Sequence, residues 1–116
     1  MTTKILIGLV ALQHYFIMFM EMFLWEKRGP LIFKNFDEEI FGKTTAMAKN
    51  MGLYNGFLAV GLTISLFVKN PLWSKYIALY FLGCVIVAGL YASFTAEKTI
   101  FLKQSLVAII AVLLLL

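Results

Sequence analysis

Apolar and polar positions alternate in long blocks rather than in a short period. Four apolar runs, Ile5 to Trp25, about Thr45 to Val68, Trp73 to Phe94, and Ile100 to Leu116, are separated by polar connections. An α-helix rises 1.5 Å per residue, so about 20 apolar residues cross a ~30 Å hydrocarbon core. The first three runs meet that length; the fourth is at its lower limit, and with Leu116 as its last residue it is expected to sit shallow or stop short. The pattern predicts an all-α fold, a four-transmembrane-helix bundle forming a single integral membrane domain over 1–116. The short connections after the second and third runs make consecutive helices antiparallel neighbours.

Turn chemistry marks the breaks. Gly29 and Pro30 are expected to end the first helix, and Asn35 with Glu38 has the form of a capping pair opening a short helix. In that segment Phe33, Phe36 and Ile40, with Phe41 beside them, fall near one face, and Asp37, Glu38 and Glu39 face elsewhere. Such a segment is expected to lie in the headgroup plane as an interfacial helix, the alternative being a lid folded over the mouth of the bundle. Asn70 and Pro71 make a tight turn, with Lys69, Trp73 and Lys75 at the interface; Ala96, Glu97 and Lys98 make the last one.

Composition strengthens the membrane reading. Hydrophobic residues make up 62% of the chain and charged residues 14%, with a mean hydropathy of +0.92, against roughly 45–50% and 25% in soluble domains. The formal net charge of +4 comes from Lys and Arg residues in the connections, which form no basic face, so they anchor the chain to the lipid bilayer and imply no nucleic acid. Lys4, Lys69 and Lys75 lie on one side of the membrane; Lys27, Arg28, Lys34, Lys43, Lys49, Lys98 and Lys103 lie on the other. The excess puts the long first loop in the cytoplasm and both termini outside, in a multi-pass protein of the cell membrane. Cys84 has no intrachain partner, and the first apolar run lacks a small-residue cleavage site and reads as a retained span.

Polar residues inside the apolar runs carry the functional signal. His14 and Glu21 are seven apart, which at 100° per residue returns them to within about 20° on one helical face. Threaded antiparallel, the loop half of the bilayer collects Glu21, Asn50, Tyr54, Asn55, Tyr91, Ser93, Thr95, Gln104 and Ser105, with His14 near mid-membrane. The other half offers Thr63, Ser65, Tyr76 and Tyr80, types that bond their own backbone or favour interfaces. Taken singly, Asn50, Asn55 and Gln104 read as interhelical glue, worth about 0.6 kcal/mol each, and Tyr54, Tyr91 and His14 as packing residues. Glu21 differs, because a carboxyl in hydrocarbon must keep its proton or find a partner, and such groups mark functional sites. The candidate catalytic residues are Glu21 and His14; the candidate ligand-binding residues are Asn50, Tyr54, Asn55, Tyr91 and Gln104. No set of metal ligands accompanies them and no cofactor is called for. Small residues, Gly52, Gly56, Ala59 and Gly61 in the second run and Gly83, Ala88, Gly89, Ala92 and Ser93 in the third, provide close helix contacts.

These residues carry a resemblance. His14, Glu21, Met22 and Trp25, the run NMGLYNGFLAVG, Gly89 to Tyr91 and Gln104 resemble the small four-span bacterial membrane proteins called domain of unknown function 1304. Met51 departs from the Gln common in that family and removes one polar contributor. The resemblance implies the four-helix fold and no substrate. Three readings of function stay open: a site for a small lipophilic ligand, used for binding or acid–base chemistry such as isomerisation, hydration or epoxide opening; a proton-coupled exporter or channel acting as a homo-oligomer; and a structural or partner-binding membrane protein.

Overall fold

The computed structural model describes residues 1–96 and 98–116, with Ile100 in backbone only. The described residues are helical with short connections: α1 (Thr2–Phe23), α2 (Trp25–Ile32), α3 (Glu39–Lys43), α4 (Thr45–Phe67), α5 (Pro71–Thr95) and α6 (Lys98–Leu115). Helices α1, α4 and α5 are long and apolar enough to cross a membrane. The apolar part of α6, Phe101–Leu115, is shorter.

Local chemistry explains the breaks. Asn70 caps α5, its side chain accepting from the backbone N–H groups of Leu72 at 3.0 Å and Trp73 at 3.1 Å, with Pro71 at the first helical position where no N–H is needed. The end of α1 differs from the expected Gly29–Pro30 break. The chain bends at Leu24, and Pro30 lies inside α2. Gly29 serves close approach instead: a Cβ there would stand 2.5 Å from the Phe41 ring, so only glycine lets α2 pass beneath that side chain. The connection holds two short helices rather than one, and α3 starts at Glu39, after Glu38 as an N-cap without a side-chain cap bond. The turn expected at Ala96 to Lys98 includes Glu97, which lies outside the described residues.

Packing pairs the long helices. α1 packs on α4 and α6, and α5 packs on the same two. The α1–α4 contact is closest where Gly52 and Gly56 face Met18, Met22 and the Cβ of Glu21. The α4–α5 pair meets at Gly61 under the Phe81 ring, and the Ser74 hydroxyl donates to the Ser65 carbonyl at 2.6 Å. In α5–α6, Gly89 lies against Ser105. These glycines form the small-residue surfaces expected of α4 and α5, whereas Gly83 faces open space and Ala88 is exposed.

The core is divided. Near the α4–α5 turn, Ile7, Val10, Leu62, Leu82, Val85 and Ala108 belong to a closed apolar cluster. Tyr15 and Thr63 share a 3.0 Å hydroxyl contact there, and Thr63 and Ser65 return their hydroxyls to backbone carbonyls of their own helix. A second cluster around Met20, Phe33 and Phe41 sits where α2 and α3 meet the long helices. The outward faces are apolar as well: Phe19, Phe23, Phe57, Val87, Phe94 and Leu113 are exposed.

Candidate functional site

Between the two clusters lies a cavity of about 860 Å³. Four helices wall it: α1 from Leu9 to Glu21, α4 from Met51 to Leu58, α5 from Val85 to Thr95, and α6 from Gln104 to Val107, while Ile32, Phe33 and Phe101 line it near α2 and α3. Most of the lining is aliphatic or aromatic. Its polar members are Gln13, His14, Glu21, Tyr54, Asn55, Thr95 and Gln104. Pockets of about 300–1,000 Å³ with few convergent polar groups are the usual form of small-molecule sites.

Glu21 is the one carboxyl among the described lining residues. It is only 6% exposed, and its Oε1 accepts a 2.7 Å hydrogen bond from Asn55 Nδ2 on α4. Asn55 Nδ2 also donates to its own helix, at Met51 O over 3.1 Å, so both protons of that amide are used. Gly52 makes the pairing possible, because a side chain there would push into Met22 and Glu21 and hold the helices apart. Glu21 forms no ion pair among the described residues. His14, equally buried at 4% exposure, uses Nδ1 to donate to Val10 O at 2.9 Å. A carbonyl oxygen can only accept, so Nδ1 carries the proton and Nε2 of the neutral ring is an acceptor.

The expected residues divide in two. His14, Glu21, Tyr54, Asn55 and Gln104 line the cavity, Tyr54 with an exposed ring. Asn50 and Tyr91 do not: Asn50 is exposed and donates to Ala46 O of its own helix at 2.9 Å, and the Tyr91 ring is exposed. Helical phase accounts for both. Asn50 lies about 140° around α4 from Asn55, and Tyr91 about 160° around α5 from Gly89. Gln13 was missed by the sequence reading. It lines the cavity, and its Oε1 is buried without a hydrogen-bond partner among the described residues. The signal was present, as a polar side chain beside His14 that shares the phase of Met20. No group of three or more potential metal ligands occurs among the described residues.

The connection between α1 and α4 lines one end of the cavity through Ile32 and Phe33. Phe33 stacks on Phe101 at a centroid distance of 6.1 Å, and Trp25 meets Phe33 at 5.7 Å and Phe41 at 5.1 Å. Trp25 Nε1 donates to Thr44 Oγ1 at 3.0 Å, fixing this aromatic group to the start of α4. The segment expected to be interfacial has Phe33 and Phe41 packed with Met20 and Phe101 of the long helices, with Phe36 and Ile40 left exposed.

Comparison with known proteins matches the sequence pattern to a family. Residues 8–116 match the family described as Protein of unknown function (DUF1304). The chain belongs to the DUF1304 family. A relative, the uncharacterized protein YpaA of Lactococcus lactis subsp. lactis (strain IL1403), is 32% identical over 113 residues, covering 96% of this chain and 93% of YpaA. No solved structure matches. The DUF1304 match takes in the polar residues of α1, α4 and α6 that meet at the cavity, and its description assigns them no activity.

Proposed function

We propose that this protein is a four-span antiparallel helix bundle of the cell membrane, a single domain that binds a small lipophilic molecule within the bilayer. The observation that carries the reading is the Glu21–Asn55 pair on the wall of an otherwise largely apolar cavity. A bundle held together by polar glue needs neutral amides and a filled core. Here a buried carboxyl faces a space of about 860 Å³ instead. Glu21 is the group for acid or base work, or for gripping a polar head, and His14, Asn55 and Gln104 orient the ligand. Tyr54 stands at the exposed rim.

The apolar outward faces support burial in lipid, and α6 completes the bundle as a shorter fourth span of about 27 Å. The positive charge of the α1–α4 and α5–α6 connections supports a cytoplasmic placement of the end of the cavity lined by Phe33 and Phe101, with both termini outside.

Cavity filling tests the reading. Val107→Phe adds bulk to the cavity wall at a residue outside the Glu21–Asn55 pair. The purified full chain should melt at a higher temperature with lipophilic compounds in the wild type, and this stabilisation should be lost in Val107→Phe. Equal stabilisation of both would place binding elsewhere on the surface. An exporter is separated by reconstitution in liposomes, where no ligand-coupled proton flux is expected.

A further inference from the structure

The polar atoms left over around Glu21 define the head group of the ligand. This step rests on the proposed cavity site and asks what chemistry completes it.

Both Asn55 protons are committed, one to Glu21 Oε1 and one to Met51 O, so that amide offers its Oδ1. Glu21 has its second oxygen, and His14, with Nδ1 committed to Val10 O, has Nε2. With the carboxyl ionised, the unspent atoms of these three lining residues are therefore acceptors. Among the described residues the cavity lining contains no Lys or Arg, so none of them supplies a counter-charge to Glu21 from the wall. A carboxylate buried in apolar surroundings is strongly disfavoured without a cation or several donors. A bound amine meets both needs.

We infer that the ligand is a lipophilic amine, whose ammonium donates to Glu21 Oε2 and Asn55 Oδ1 while its hydrocarbon body fills the space between Ile17, Leu58, Val85 and Val107. A primary ammonium has three protons and no acceptor, which suits a site whose free atoms beside the carboxyl are lone pairs. An alcohol donates one proton and carries no charge, so it fits less well. A carboxylate or phosphate head brings like charge and no donor. Of the remaining polar residues, Thr95 donates its hydroxyl to Tyr91 O of its own helix, Tyr54 stands at the exposed rim, and Gln104 and Gln13 supply amides that can turn to serve either partner.

The test uses the full-length protein in lipid nanodiscs and three ligands of one chain length: octylamine, 1-octanol and octanoate. Thermal stabilisation should rank octylamine above octanol, with octanoate without effect. Glu21→Gln should reduce the apparent affinity for octylamine at least tenfold and leave that for octanol within about twofold. Glu21→Asp keeps the charge and should preserve the preference for the amine if the glutamine variant does not fold. Stabilisation by octanoate equal to that by octylamine, or a full amine preference in Glu21→Gln, overturns the head-group assignment and leaves the cavity reading intact. No stabilisation by any of the three overturns the cavity reading itself.

Discussion

Asn55 on α4 donates a 2.7 Å hydrogen bond to Glu21 on α1, 34 positions earlier in the chain. The two residues join the α1–α4 contact to the wall of the cavity. One side of α4 at this level is a row of small residues against Met18 and Met22, and beside that row Asn55 reaches Glu21. A change in the pair acts on packing and on the site together.

Asn55→Leu removes the donor and leaves the carboxyl buried with no partner among the described residues. It should lower stability by about 1–3 kcal/mol, the cost of an unsatisfied buried polar group. Glu21→Gln keeps the size and can still accept from Asn55, so its cost should be smaller. Reversible unfolding of the two variants and of the double variant measures this, and a coupling close to the ~0.6 kcal/mol average for membrane hydrogen bonds or above it is expected. Equal stability of Asn55→Leu and wild type would contradict the pairing.

The α4 glycines should differ in their tolerance of alanine. At Gly52 a Cβ would meet Met22 Cγ at 2.6 Å and the Met18 backbone oxygen at 3.0 Å, and the backbone cannot turn aside. Gly52→Ala should therefore cost about 1–3 kcal/mol. At Gly56 the near atoms are Sδ and Cγ of Met18, a flexible side chain that can move, so Gly56→Ala should cost less. Gly83 has nothing within 4 Å of the built Cβ, and Gly83→Ala should gain up to about 1 kcal/mol from helix propensity. Thermal melts of the three variants check the order.

Phe41 holds the connection to the helices. It is 1% exposed, lies over Gly29 and meets Trp25. Phe41→Ala should cost about 3–5 kcal/mol, and limited proteolysis should then cut within residues 33–43 faster than in the wild type. Unchanged melting and cleavage would show that the segment does not depend on this contact.

Topology is tested by labelling. In a Cys84→Ala background, Glu38→Cys should react with a membrane-impermeant maleimide only from the cytoplasmic side, and Thr3→Cys only from outside. The reverse pattern would invert the orientation drawn from the Lys and Arg distribution.

Much of the fold is legible in the sequence because its signals are local. Runs of apolar residues mark the long helices to within a few positions, and Asn70–Pro71 carries its own capping chemistry. Gly29–Pro30 misleads because a glycine before proline has the form of a breaker, whereas its use here depends on Phe41, a contact made across the connection. The candidate site is legible in part. Glu21, His14, Asn55 and Gln104 stand out as polar groups in apolar runs, and depth alone collects them. Depth does not fix rotation: Asn50 and Tyr91 lie at the expected level but on the outer faces of their helices. The packing of Phe33 on Phe101 joins residues far apart in the chain, and no periodicity reports it.

On the proposed function, the cavity beside Glu21 holds a lipophilic molecule. An experimental structure of the full chain in lipid tests it most directly. Elongated density is expected between α1, α4, α5 and α6, with its polar end at hydrogen-bond distance from Glu21. A dry, collapsed core, or a Glu21 side chain turned outward into lipid, would contradict it.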